Sequence, residues 1–243
     1  MNLVIDVGNT NAKLAVFQEG KLLKKNITNL NNLLNEFENL IVEFKNISRG
    51  IISSVARIDI TVLESIKKKI DLLVLTSDLK IPFNNKYETP KTLGVDRIAL
   101  VCAAVNRYPV KNVLIIDAGT CITFDFINNK NVYLGGAISP GIDLRYKSLN
   151  NLTANLPLLK PKHPRGIVGK STEESIHSGV INGIIAEIEG IVKKYKKNHK
   201  DLTVILTGGD TDFLSKRLKN TIFADSNFLL QGLNHILEYN LIQ

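Results

Sequence analysis

One pattern occurs twice in this chain and limits what it can fold into. Residues 2–17, NLVIDVGNTNAKLAVF, run apolar into Asp6, break at Gly8 and continue past Asn9, Thr10, Asn11 and Lys13. Residues 112–126, NVLIIDAGTCITFDF, run apolar into Asp117, break at Gly119 and pass Thr120. A short run rich in Val, Ile and Leu and closed by a glycine turn predicts a core strand rather than a helix. Each run leads into a predicted hairpin: residues 13–17 and 21–25 flank Gln18-Glu19-Gly20, and residues 121–127 and 132–134 flank Asn128-Asn129-Lys130-Asn131. Halves that open alike predict an internal duplication, with domains 1–111 and 112–243 of one α/β fold facing each other across a cleft.

Glycine close behind a carboxylate at a strand end has a chemical use. Lacking a Cβ, it lets backbone N–H groups approach an anion, while hydroxyl, amide and ammonium neighbours donate to phosphate oxygens. The carboxylates cannot hold phosphate themselves. Two of them across a phosphate site call for a cation or ordered water, so Mg²⁺ or a monovalent ion is expected beside a nucleotide. A single Asp-x-Gly is common in plain turns; its repetition after two matched strands favours the nucleotide reading.

Between the two copies, helical spacing at residues 30–44, a strand at 50–55, a helix at 58–70 and a strand at 72–75 predict alternating α/β layers. Residues 81–92, with Pro82, Asn84, Asn85, Tyr87 and Pro90, read as a loop long enough to be functional. It runs into Gly94-Val95-Asp96-Arg97 and a buried helix over 98–108, which puts Asp96 at a helix N-terminus. Aspartate there also serves as an ordinary cap.

Further on, residues 135–141 (GGAISPG) read as a glycine-dense turn. Ser171 and Glu174 form a capping box that opens the longest predicted helix, 172–197, with Thr172 in its first turn. Ile176, Val180, Ile184, Ile188 and Val192 make its buried stripe. Gly179, Gly183, Ala186 and Gly190 make a second line of small residues, which implies close approach by another helix, either of a second copy or of the same chain. A buried strand at 202–206 ends in Thr207-Gly208-Gly209-Asp210, a third glycine loop with room for a flat base, and residues 228–241 form an amphipathic closing helix.

The formal net charge of +8 suits an anionic ligand, but the lysines are spread along the chain, without the basic tract of a nucleic-acid binder. Lys193, Lys194, Lys196 and Lys197 close a helix, where solvation and the helix dipole account for them. No apolar run is long enough to span a membrane and no leader pattern precedes the first strand, so a cytoplasmic location is expected. Cys102 and Cys121 lack metal or redox spacing and read as small core residues. His163, His177, His199 and His235 have no metal-ligand spacing.

Taken together, Asp6-Val7-Gly8-Asn9-Thr10, Gly94-Val95-Asp96-Arg97, Asp117-Ala118-Gly119-Thr120, Gly135-Gly136 with Pro140-Gly141, and Thr207-Gly208-Gly209-Asp210 resemble the type III pantothenate kinases over almost the whole chain. The two aspartate loops alone resemble the wider superfamily of actin, sugar kinases and heat-shock ATPases, whose duplicated domains are ribonuclease H-like. The resemblance implies an ATP-dependent kinase that phosphorylates the primary hydroxyl of pantothenate in coenzyme A biosynthesis. It makes Asp6, Val7, Gly8, Asn9, Thr10, Asn11, Ala12 and Lys13 the first phosphate loop and Thr120 a second ATP contact. Asp117 becomes the ligand of a monovalent cation, potassium or ammonium, and Asp6 reaches Mg²⁺ through water. Tyr87, Gly94, Val95, Asp96, Arg97 and Thr172 become pantothenate-binding positions, with Asp96 the catalytic base, and the family is homodimeric. Two alternatives share the fold: a kinase of another small alcohol, and a non-catalytic transcriptional accessory protein.

Overall fold

In the computed structural model, which describes residues 1–54, 58–76, 78–218 and 222–241, the chain divides into two units. One comprises Met1–Pro109, Asn131–Tyr133 and Asn227–Gln243, the other Val110–Lys130 and Leu134–Ser226.

In the first unit β1 (Asn2–Val7), β2 (Asn11–Gln18) and β3 (Lys21–Asn29) run antiparallel. The β2–β3 turn places Glu19 and Gly20 at φ of 50° and 74°, the left-handed pair whose twist suits a two-residue hairpin. Next come α1 (Leu33–Glu43), β4 (Arg49–Ser54), α2 (Ile60–Lys67) and β5 (Asp71–Val74), with β4 parallel to β1 and β5 parallel to β4. The sheet order is β3-β2-β1-β4-β5. Leu33, Phe37 and Leu40 of α1 are buried on the core formed by Leu3, Ile5 and Leu14, as their helical spacing requires. The α2 helix is shorter than its apolar pattern because the Asp59 side chain caps it by accepting the Thr61 N–H. Val55, the predicted end of the fourth strand, lies outside the described residues.

The stretch predicted as a loop over 81–92 contains a two-residue strand, β6 (Asn84–Asn85), paired in parallel with Val132 and Tyr133. It leads through a 3₁₀ turn into α3 (Val95–Arg107), whose residues 97–104 are all buried.

The second unit repeats the plan of the first. Its strands β7 (Asn112–Ala118) and β8 (Cys121–Ile127) are antiparallel, and β9 (Val132–Pro140) follows β8 in the sheet. Then come α4 (Ile142–Asn151), α5 (Thr172–His177), α6 (Gly183–Asn198), β10 (Leu202–Thr207), α7 (Thr211–Ser215) and β11 (Ile222–Ala224). Because β10 is parallel to β7 and β11 to β10, the order β9-β8-β7-β10-β11 matches β3-β2-β1-β4-β5 strand for strand. The duplication inferred from the repeated aspartate pattern is therefore present at the level of topology.

Three expectations are corrected. Residues 135–140 continue β9 instead of forming a turn. The glycines there serve a close approach: a Cβ on Gly136 would lie 1.6 Å from the Phe124 carbonyl oxygen on β8. The helix expected over 172–197 is interrupted between α5 and α6 by a π-helical turn, Ser178–Asn182, although Ile176, Val180, Ile184, Ile188 and Val192 are all buried as the stripe predicts. The closing helix α8 (Phe228–Leu241), placed by sequence order in the second half, belongs to the first unit. Gly232 lets it press onto α3, where a Cβ would stand 1.9 Å from the Ala99 carbonyl, and Asn2 Nδ2 donates to Asn234 Oδ1 at 2.9 Å.

Candidate active site

In the first unit, Asp6 is the penultimate residue of β1, in register with Lys13 on β2 and Ser53 on β4. Ser53 Oγ donates to Asp6 Oδ1 at 3.1 Å, and Lys13 Nζ lies 3.4 Å from Oδ2. A carboxylate only 8% exposed needs such partners, because burial disfavours its charge. The two neighbours fix its orientation. Beyond it the chain turns tightly, with the Gly8 N–H donating to the Asn11 carbonyl at 3.0 Å. Val7 and Ala12 are buried beneath the turn, leaving Asn9, Thr10 and Asn11 exposed with their polar groups in solvent.

The segment after the 81–92 loop differs from a simple cap. Gly94 is the N-cap of α3, Asp96 lies in its first turn, and Asp96 Oδ1 accepts the Arg97 N–H at 2.8 Å. A Cβ on Gly94 would stand 2.4 Å from that same oxygen, so the glycine makes room for the carboxylate. Arg97 is buried, 5% exposed, and its guanidinium carbon sits 5.6 Å from the Tyr87 ring centroid. Tyr87, Gly94, Asp96 and Arg97 therefore form one local group.

In the second unit Asp117 occupies the place on β7 that Asp6 has on β1, in register with Thr123 on β8 and Thr207 on β10. Hydroxyl residues stand where the first unit has Lys13 and Ser53. The Gly119 N–H donates to the Cys121 carbonyl at 2.9 Å, echoing the Gly8 turn, and Thr120 is exposed. Two more glycine turns close on this loop. Gly141 donates its N–H to the Thr120 carbonyl at 3.0 Å, and a Cβ there would lie 2.0 Å from the Gly119 oxygen. Gly208, at φ 97°, leaves space that a Cβ would fill at 2.4 Å from Asp117 Oδ1. Next to it, burial pushes the Asp210 carboxyl up to about 6, with the nearby Asp143 charge adding to the effect.

Thr172 opens α5 behind the expected cap. Ser171 Oγ accepts the Glu174 N–H at 3.2 Å, and the Glu174 carboxylate accepts the Lys170 N–H at 2.8 Å. With Arg145, Leu149, Ile176, Gly179 and Val180, Thr172 lines a cavity of about 650 Å³. Gly179, Gly183 and Gly190 have nothing within 4 Å of where a Cβ would stand, so among the described residues nothing packs on this line.

Sequence reasoning missed Ser53, whose signal is its position opposite Asp6, matched by Thr207 opposite Asp117. It also missed Arg145, which donates from Nε to the Pro140 carbonyl and from Nη2 to Ser139 Oγ, both at 2.8 Å, and pairs with Glu187, fixing the turn that meets Thr120. Cys121, expected in the core, is exposed because it starts β8 directly after the loop, whereas Cys102 is buried. The basic segment 160–165 contributes Lys162, His163 and Arg165 to a separate cavity of about 210 Å³.

The donor sets fit the expected cations. Among the described residues no cluster of three or more His, Cys, Asp or Glu side chains could cage a metal. Asp6, oriented by Ser53 and Lys13, is the kind of carboxylate that Mg²⁺ carried on phosphates would need, since that ion takes one or two carboxylates and keeps its water. Asp117, with threonines in register and the cradle that Gly208 leaves open, presents the hard oxygen donors a monovalent cation takes.

Comparison with known proteins is consistent with this geometry. A family model described as type III pantothenate kinase matches residues 2–194. A type III pantothenate kinase of Christiangramia forsetii is 56% identical over 243 residues, covering 100% of both chains. Among solved structures, a Campylobacter jejuni protein described as a conserved member of the Baf family of transcriptional activators superposes with a TM-score of 0.66 at 24% identity, covering 99% of this chain and 100% of its own. A glucokinase from an Antarctic psychrotroph superposes with a TM-score of 0.53 at 14% identity, covering 98% of each chain. These two structural likenesses speak for the fold alone, the duplicated α/β plan seen in the strand orders.

Proposed function

Since the chain belongs to the type III pantothenate kinases, and so is an ATP-dependent kinase of pantothenate in coenzyme A biosynthesis, we infer how its residues divide the work. The observation that carries this division is the paired construction of Asp6 and Asp117, at equivalent strand ends with different neighbours. Residues 6–13 hold the triphosphate. The exposed Asn9, Thr10 and Asn11 and the Lys13 ammonium supply donors, and Asp6 would hold Mg²⁺ through water. Thr120, on its glycine-buttressed loop, is a second ATP contact. Asp117 would hold a monovalent cation, potassium or ammonium, which when bound would offset phosphate charge. Gly208 and Gly209 leave space for the base.

Tyr87, Gly94, Val95, Asp96, Arg97 and Thr172 bind pantothenate. Asp96, whose carboxylate occupies the room that Gly94 leaves, accepts the proton of the primary hydroxyl as that oxygen attacks the γ-phosphorus, giving 4′-phosphopantothenate and ADP. Arg97 stays cationic at any working pH and lies over the Tyr87 ring, and its fork of donors suits it to a carboxylate or a phosphoryl oxygen. No helix among the described residues is long and apolar enough to cross a membrane.

The test is an assay of ADP release with pantothenate, ATP and Mg²⁺ in potassium or sodium buffer. Turnover should require pantothenate and rise at least ~10-fold in potassium, with Asp117→Asn abolishing the difference between the cations. Equal rates in sodium and potassium would remove the cation from Asp117.

The enzyme is a homodimer through the second unit. The open Gly179, Gly183 and Gly190 line and the exposed Leu152, Leu158, Ile167 and Val168 are surfaces that a second copy would cover. Sedimentation equilibrium should give twice the 27.0 kDa chain mass, and Gly183→Glu should give the chain mass itself. A wild-type chain that sediments as a monomer at micromolar concentration contradicts this.

A further inference from the structure

Tyr87 is held from behind by a residue far along the chain. Tyr133 is completely buried, at 0% exposure. Its ring centroid lies 6.2 Å from that of Tyr87 with the planes tilted by 31°, and 5.9 Å from that of Phe83 at 68°. Arg97 covers Tyr87 as well, so the contacts run Phe83, Tyr133, Tyr87, Arg97. The backbone follows the same route. The Asn84 N–H donates to the Asn131 carbonyl at 2.8 Å and the Lys86 N–H to the Tyr133 carbonyl at 2.9 Å, which clips the loop to the strand segment that carries Tyr133. Asn85 Oδ1 then accepts the Tyr87 N–H at 3.0 Å.

These two kinds of restraint fix different things. Backbone bonds set where the Tyr87 Cα lies and survive a change of side chain at 133. The direction of the Tyr87 ring depends on the surfaces it leans against, among them Tyr133 and Arg97. Aromatic rings in tilted contact hold a preferred mutual geometry through their quadrupoles. Removing the buried ring leaves Tyr87 a space to turn into, and Arg97 loses a fixed ring beneath it.

We propose that Tyr133 is a positioning residue for the pantothenate site: it sets the orientation of Tyr87 and, through it, of the Arg97 guanidinium, and so controls pantothenate affinity without touching pantothenate. This rests on the assignment of Tyr87 and Arg97 to the substrate. It predicts a defect confined to one substrate, because the phosphate loop of residues 6–13 takes no part in the stack.

Steady-state kinetics of the full-length enzyme, with ATP and pantothenate varied separately, test it on Tyr133→Leu, Tyr133→Phe and Tyr87→Ala. Tyr133→Leu should raise the KM for pantothenate ~10-fold while kcat and the KM for ATP stay within about twofold of wild type. Tyr133→Phe, which keeps the ring, should restore the pantothenate KM to within about twofold. An unchanged pantothenate KM in Tyr133→Leu, with Tyr87→Ala raising it, overturns the positioning role and leaves the substrate assignment standing. So does a Tyr133→Leu defect spread evenly over kcat and both KM values. An unchanged KM in Tyr87→Ala overturns the substrate assignment and this proposal with it. Should Tyr133→Leu fail to accumulate as folded protein, Phe83→Leu removes the ring behind Tyr133 and must raise the same KM; no change there also overturns the proposal.

Discussion

Replacing Asp96 by asparagine should lower kcat by roughly 10³-fold, within the range that positioned general bases contribute, while the protein stays folded. Asparagine keeps an oxygen that can accept the Arg97 N–H, as Asp96 Oδ1 does at 2.8 Å, and it fits the space left by Gly94. The first turn of α3 is therefore preserved and Tm should move by no more than about 2 °C. What disappears is the basicity needed to take a proton from the pantothenate hydroxyl. The KM values should change little, because the amide still hydrogen-bonds in the ground state. A variant with more than about a tenth of wild-type kcat would remove Asp96 as the base. Thermal melts and steady-state kinetics on one preparation decide the matter.

A second large effect is expected at Gly208. Its φ of 97° is rarely adopted by residues with a side chain, and a Cβ would lie 2.2 Å from the Ala118 carbonyl and 2.4 Å from Asp117 Oδ1. Alanine must push back the end of β7, the Asp117 carboxylate, or the turn itself. Any of these disturbs Asp117, the cation ligand proposed above, and the loop that carries Thr120. Gly208→Ala should lose roughly 100-fold in kcat/KM for ATP, about 2.7 kcal/mol of transition-state stabilisation, and lose its response to potassium. Gly166→Ala, which has nothing within 4 Å of its Cβ position and lies outside the residues assigned to nucleotide and pantothenate, serves as the control, with activity near wild type. If both substitutions are equally mild, Gly208 does not buttress Asp117.

Much of this architecture can be read from residue order, and the exceptions have physical causes. The aspartate strands, their hairpins and the alternation of strands and helices are local patterns of period two and 3.6, so they show in the sequence directly. The duplication shows because both halves spell the same turn. The destination of α8 does not show, because its buried residues mark a buried face without naming the partner, and the close approach that Gly232 allows to Ala99 leaves no periodic trace. Nor does the strand character of residues 135–140, since a glycine pair reads as a turn until the nearness of β8 is known. The π turn at Ser178–Asn182 shifts the hydrogen-bond register without a residue-type signature.

For the site, sequence gives the residue types but not their supports. Asp6, Asp96 and Asp117 stand out by their glycines, whereas Ser53, Arg145 and Tyr133 act only through pairings made by the fold. Asp96 also shows how a local rule misleads: aspartate at a helix start reads as a cap, yet the cap is Gly94 and the carboxylate sits inside the first turn.

The most direct test of the whole account is a crystal structure of the enzyme with pantothenate and a non-hydrolysable ATP analogue in potassium and Mg²⁺. The account predicts the Asp96 carboxylate within ~3 Å of the pantothenate primary hydroxyl, with that oxygen aimed at the γ-phosphorus and the triphosphate lying on residues 6–13. A hydroxyl turned away from Asp96, or a triphosphate bound elsewhere than on the Asp6 loop, would contradict it.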